Sequence, residues 1–157
     1  MTAPVQPPAD SAADRAVVNT RVFAVPRAVL FGAFSDPARL AAWWGPQGFT
    51  NTFAKFEFRP GGDWHLAMRG PDGTVYENVS RFVTTDAPER IVFDHLGPLH
   101  WYRMTITLDE CPCGTQLTWH MAFASAEECA KVRDFVLPAN EQNFDRLAAH
   151  LGQPQPT

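Results

Sequence analysis

Five polar side chains, Tyr76, Asn78, His95, Tyr102 and Asn140, fall where the surrounding apolar alternation marks a position as inward. A buried polar group without a partner costs about 1–3 kcal/mol, so each must meet another protein group, water or a ligand. His95 is the candidate acid–base group, because imidazole titrates at about 6.5 and has two usable nitrogens. Tyr76 and Tyr102 are the phenols that would work beside it. Catalysis also needs a partner geometry that spacing does not supply, so no residue is assigned a catalytic role. The thiols point nowhere further. Cys111-Pro112-Cys113 brings two to one turn and Cys129 opens a distant helix, whereas structural zinc takes four ligands and no second pair exists. HExxH, GxSxG, P-loop and dinucleotide glycine patterns are missing, as is a C-x-x-C beside a βαβ unit. Neither a metal nor a cofactor is expected.

Large apolar side chains define the space those polar groups would face. Trp44, Trp64, Met68, Tyr76, Phe93, His95, Tyr102, Met104, Trp119, Met121, Asn140 and Phe144 all point, by strand alternation or helical face, into one interior. They form the expected ligand-binding set. Pockets are mostly apolar with a few placed polar groups, and aromatic and Met side chains supply area and adaptable contacts. Ordinary core is the competing reading for any one of them, since such side chains are mostly buried for stability.

The element that must cover this interior is the last long stretch, Ser125 to Leu151. Ser125-Ala126-Glu127-Glu128 reads as a capping box, and Cys129, Val136, Phe144, Leu147 and Leu151 then fall on one helical face. Pro138 lies inside this helix and Asn140 on its apolar stripe. Proline removes one helix hydrogen bond and leaves a carbonyl one turn earlier without its donor. A water or ligand bridging that carbonyl and the Asn140 amide is one reading. Asn140 capping a local break is the other.

Before the helix come strands. Val17 to Val25 is β-branched and stopped by Pro26, which suits the first position of a helix over Arg27–Phe34. Asp36-Pro37 starts a second short helix that runs to Trp43-Trp44 and ends at Gly45-Pro46. A meander of six strands follows. Asn51–Arg59 is expected to place Ala54, Phe56 and Phe58 on one face; Asp63–Arg69 turns Trp64, Leu66 and Met68 inward. Pro71-Asp72-Gly73 is a hairpin signal before Thr74–Thr85. Arg90–Leu96, Trp101–Leu108 and Thr115–Phe123 alternate in the same way, with His65, His100 and His120 outward or in loops. Clean alternation marks an antiparallel sheet with one wet face and one buried.

Composition bounds the classes. A chain of 157 residues, 45% hydrophobic, is one domain with enough length for a sizeable core. Thirteen basic and seventeen acidic residues give −4 with no basic run, which argues against nucleic acid. No apolar stretch approaches the roughly 20 residues of a membrane span. The first residues lack a basic segment followed by an apolar one, so no signal peptide is expected, and an odd cysteine count is unlike a secreted disulfide framework. The expectation is a cytoplasmic domain over residues 15–152, with tails at 1–14 and 153–157 too polar to fold.

The order of these elements, and several of their residues, resemble the START-like (SRPBCC, helix-grip) superfamily, in the branch named after the activator of heat-shock protein 90 ATPase. The resemblance rests on Arg21-Val22-Phe23-Ala24-Val25-Pro26, Asp36-Pro37, Trp43-Trp44-Gly45-Pro46, Arg59-Pro60-Gly61-Gly62 and Pro71-Asp72-Gly73. Pro88-Glu89-Arg90-Ile91-Val92, Gly114-Thr115 and Asp145-Arg146-Leu147 complete it. It implies an α+β fold in which a seven-stranded curved antiparallel sheet wraps around the C-terminal helix, leaving a cavity between them. Superfamily members use that cavity for apolar or amphipathic ligands, lipids among them, and some are cyclases or hydrolases. Relatives often carry glycine in the middle of the last helix, where this chain has Pro138-Ala139-Asn140. Three functions follow as expectations: binding of a small apolar or amphipathic molecule, a cyclase or hydrolase using the same cavity, or a protein-interaction module of the co-chaperone kind. A homodimer through a sheet edge or through Trp43-Trp44 stays open.

Overall fold

A computed structural model describes residues 14–97 and 101–152. The chain runs β1 (Ala16–Phe23), α1 (Arg27–Ser35), α2 (Pro37–Trp43), β2 (Thr50–Phe56), β3 (Asp63–Arg69), β4 (Val75–Asp86), β5 (Arg90–Gly97), β6 (Tyr102–Cys111), β7 (Gly114–Phe123) and α3 (Ala126–His150). The strands form one antiparallel sheet in the order β1-β7-β6-β5-β4-β3-β2. Strands β2 to β7 are a simple meander, and β1 closes on its last member. This is the helix-grip architecture, with α3 lying on the inner face. The expected tails and His100 lie outside the described residues, apart from Asp14.

Local chemistry accounts for the element ends. Asp36 caps α2, its Oδ1 accepting from Ala38 N at 3.0 Å, and Ser125 caps α3, its Oγ accepting from Glu128 N at 3.1 Å. Pro26 stands one position earlier than expected, as the N-cap of α1. Its carbonyl accepts from Val29 and Leu30 N–H, and Arg27 takes the first helical place.

Cross-strand pairs carry the inner face. Ile91 faces Ile106, Phe93 faces Met104 and His95 faces Tyr102, while Ile106 faces Trp119 and Met104 faces Met121. Such pairs, 4.5–5.5 Å apart at Cβ, are the unit of sheet stabilisation. One expectation fails on β2. Ala54 is exposed, and Phe53 joins Phe56 and Phe58 against the core. The pairing with β3 shifts between Phe53 and Lys55, and one extra residue in a strand moves everything beyond it to the other face. Phe53 and Phe56, three apart, thereby stack on one another against the core, half-buried.

Helix α3 continues through Pro138. The carbonyl released by the proline belongs to Asp134, and both residues are exposed, so water meets it. It does not share a partner with Asn140, which lies on the buried side. Phe144 packs edge-on against Phe23 at 6.1 Å and Trp119 at 4.8 Å, joining α3 to β1 and β7. Trp43 and Trp44 are 1% and 8% exposed. Both are used up inside the chain, so the tryptophan route to a homodimer is closed and the sheet edges remain. No helix of the described residues is long and apolar enough to cross a membrane.

Candidate functional site

The inner face of the sheet is not filled completely. A cavity of about 120 Å³ remains between β3–β7, Trp44 and α3. Ten of the twelve residues of the expected ligand-binding set line it: Trp44, Trp64, Met68, Phe93, His95, Tyr102, Met104, Trp119, Met121 and Asn140. Leu66, Asn78 and Ser80 complete the wall. A second space of about 190 Å³ shares Asn78, His95, Tyr102 and Met121 with it and continues past Phe123, Val132, Phe135 and Val136. That is the mouth, between the ends of β5–β7 and the first half of α3. Phe135 stands at its rim, 72% exposed.

The other two residues of the expected set are elsewhere. Tyr76 is 44% exposed and rests on Phe49, ring centroids 6.1 Å apart. It has the inward phase, but it stands at the start of β4, before the strand reaches the buried positions Ser80 and Phe82. Phe144 is fully buried, but it stands behind Trp119 and lines no part of the cavity.

Trp44 is placed from α3. Asn143 Nδ2 donates to Trp43 O at 3.0 Å, and Asn143 Oδ1 accepts from Gly45 N at 3.1 Å. Arg146 Nη1 reaches Trp44 O, Gly45 O and Pro46 O at 2.9–3.0 Å, and its Nη2 reaches Ala42 O at 3.2 Å. A guanidinium at the end of a helix satisfies carbonyls that have no intrahelical donor. Burial lowers the Arg146 pKa from its ordinary value. Gly45 adopts φ +97°, and a Cβ there would meet the Met68 methyl at 2.8 Å. The turn therefore brings backbone against a cavity residue, which glycine alone allows. Trp44 then meets Trp64 and Trp119 at 5.1 and 5.2 Å.

The polar groups form two sets. Asn78 donates its amide to Tyr76 O at 3.1 Å, which turns its Oδ1 toward His95 Nε2 at 2.8 Å. An amide oxygen only accepts, so His95 Nε2 carries a hydrogen and donates. The His95 ring stacks on Tyr102 at 4.7 Å, planes 9° apart. Tyr102 also meets Phe93 and Phe123, and burial pushes its phenol pKa up. Among the described residues no carboxylate lines the wall, and His95 Nε2 is held by the Asn78 amide oxygen.

The second set contains a residue that the inward list lacks. Asn19 of β1 is 5% exposed. Its Nδ2 donates to Leu137 O at 3.2 Å and Glu141 Oε2 at 2.8 Å, so its Oδ1 faces Asn140 and accepts from Asn140 Nδ2 at 3.0 Å. Asn140 Nδ2 also meets Met121 Sδ at 3.3 Å. Arg21, two residues along the same face, binds Glu141 and Asp145 at 2.8 Å each and stacks over Phe144 at 5.4 Å. Val17 and Phe23 bracket Asn19 and Arg21 at period two, so alternation carried the signal. What it lacked was a partner more than a hundred residues away.

A larger depression of about 330 Å³ lies elsewhere, against Arg27, Glu89, Arg90, Thr107, Leu108 and Asp109. Its lining is largely charged, with both signs present, whereas the aromatic cavity has the mostly apolar wall with a few polar groups that ligand sites show, so the latter is the better candidate. Among the described residues no cluster of three or more His, Cys, Asp or Glu could hold a metal, and all three cysteines are free thiols.

Comparison with known proteins agrees with this architecture. The model of the family described as Activator of Hsp90 ATPase homolog 1-like protein matches residues 24–152. A solution structure of a protein from Arthrobacter aurescens is 25% identical with TM-score 0.83, covering 92% of this chain and 90% of its own. A crystal structure of protein Ms6760 from Mycobacterium smegmatis is 26% identical with TM-score 0.80, covering 91% and 94%. The AHSA1 protein of Silicibacter pomeroyi, 22% identical with TM-score 0.71 over 87% of this chain and 97% of its own, shares the fold. No curated protein matches the chain.

Proposed function

Since the chain belongs to the family of Activator of Hsp90 ATPase homolog 1-like proteins, we propose that it binds a small apolar or amphipathic molecule between its sheet and its C-terminal helix. The observation that carries this reading is the cavity itself. Protein interiors are packed as tightly as organic crystals, yet about 120 Å³ stays unfilled where three indoles, three methionines and two asparagines converge. With the mouth of about 190 Å³, the space reaches the lower end of small-molecule sites, about 300–1,000 Å³. Asn78, His95, Tyr102 and Asn140 are the placed polar groups. Trp44, Trp64, Met68, Phe93, Met104, Trp119 and Met121 supply the contact area.

A thermal-shift panel of lipids and ring compounds, with native mass spectrometry of the purified protein, tests it. A ligand at a hundred times its Kd stabilises the folded state by about 2.7 kcal/mol, which for a chain of this size raises Tm by about 5–10 °C. Met121→Trp, which fills the cavity, abolishes the shift. No retained mass and no shift with any compound would remove the reading.

A further inference from the structure

We propose, building on that binding reading, that the ligand is a neutral phenol: a single aromatic ring carrying a hydroxyl inside the cavity and its substituent in the mouth. Size argues first. An apolar cavity of about 150 Å³ holds one benzene, and this one is about 120 Å³. A ring fits the cavity with modest adjustment of Met side chains, whereas a long acyl chain would have to leave most of its length in the mouth. The walls suit a ring, because Trp44, Trp64, Phe93 and Trp119 already meet one another edge-to-face or tilted, the arrangements aromatic rings prefer.

Charge argues second. Among the described residues no Lys, Arg, Asp or Glu lines the space, and the basic group that does, His95, has its Nε2 on the Asn78 amide oxygen. A carboxylate taken into it would have no cationic partner, and an unpaired buried charge is far costlier than a buried dipole. The ligand that enters is therefore uncharged at neutral pH, which a phenol is.

Hydrogen bonds argue third, and they select the hydroxyl. The wall holds the Ser80 hydroxyl, which can give a hydrogen to a ligand oxygen. The wall also holds one acceptor to spare. Asn19 fixes the Asn140 amide so that its nitrogen is committed, which leaves Oδ1 as the half of the group with no described donor. A phenol oxygen gives one hydrogen and receives others, so it answers both needs. A ketone answers only the donor, and a hydrocarbon answers neither. Tyr102, on the wall between cavity and mouth, brings a further hydroxyl to the same space.

The test uses probes of matched size at pH 7: p-cresol, 4-methylacetophenone, toluene and p-toluate, with decanoate as the chain-like control. Binding is read by calorimetry and by intrinsic fluorescence, since Trp44, Trp64 and Trp119 line the cavity. The expected order is p-cresol first, at least tenfold tighter than toluene, with the ketone between them and both carboxylates unbound. Tyr102→Phe narrows the ratio of p-cresol to toluene affinity by about three- to tenfold, the worth of one hydrogen bond. If toluene matches p-cresol within twofold, or either carboxylate binds more tightly, the phenol assignment is wrong and the binding reading stands. If none of the five binds, the phenol assignment is wrong, and the wider panel with native mass spectrometry decides the binding reading separately.

Discussion

Removing Asn19 should loosen the middle of α3 more than any other single polar change. In Asn19→Ala three hydrogen bonds disappear: to Leu137 O, to Glu141 Oε2 and from Asn140 Nδ2. Each is worth about 0.5–1.5 kcal/mol net, and an orphaned buried amide adds about 1–3. The Glu141 bond is discounted, because that carboxylate is 46% exposed and water replaces the lost donor. Asn140, at 8% exposure, keeps only a sulfur acceptor. The sum is about 2–4 kcal/mol, or a Tm lower by about 5–15 °C. Urea unfolding of Asn19→Ala, Asn140→Ala and the double variant measures it. The double variant should cost about 1–2 kcal/mol less than the two singles together, because removing both amides leaves neither unpaired. Additivity within about 0.5 kcal/mol would mean that the amide pair does not hold the helix to β1, and the orientation assigned to Asn140 would lose its basis.

Two further outcomes follow from the same structure. Arg146→Met should destabilise by about 2–3 kcal/mol, leaving carbonyls of the Ala42–Pro46 turn without their charged donor. It should also shift Trp emission to the red as Trp44 is freed, while Arg146→Lys recovers part of the loss; unchanged emission would show that the turn needs no clasp. His150 has its pKa lowered from the ordinary 6.5 by burial and then by Arg39, whose Nε donates to His150 Nε2 at 3.5 Å. The folded state thus favours the neutral ring. Stability from this group is complete above the unfolded value and is lost as pH falls from 6.5 through the folded one. Unfolding free energies from pH 7.5 to 5 should decline in the wild type and decline less in His150→Gln, which keeps an acceptor for Arg39; parallel curves would overturn the assignment.

Much of the fold was legible because period-two alternation and capping chemistry are local. The boundaries of β3, the caps at Asp36 and Ser125, and the inward phase of Trp64, Phe93, Met104, Trp119 and Met121 all follow from neighbours within a few residues. β2 was misread where locality fails. Strict alternation admits Ala54 and excludes Phe53, but packing one more aromatic ring against the core outweighs the irregularity of one bulge. Tyr76 failed differently. Alternation says which face a side chain takes, and nothing about where along the strand burial begins.

The sequence by itself determined the sheet, the helix that covers it, the aromatic and Met character of the space between, and the absence of charge from its inward positions. Those are properties of residue type and period. Only the tertiary structure decided that the space is about 120 Å³, that it opens beside Phe135, and that Asn140 is held by Asn19. Volume is the small difference between a large enclosure and the side chains that nearly fill it, and a hydrogen bond spanning 121 residues exists only after the chain has closed. The same holds for Trp44, whose place in the wall depends on Asn143 and Arg146 reaching across from the far end of the chain.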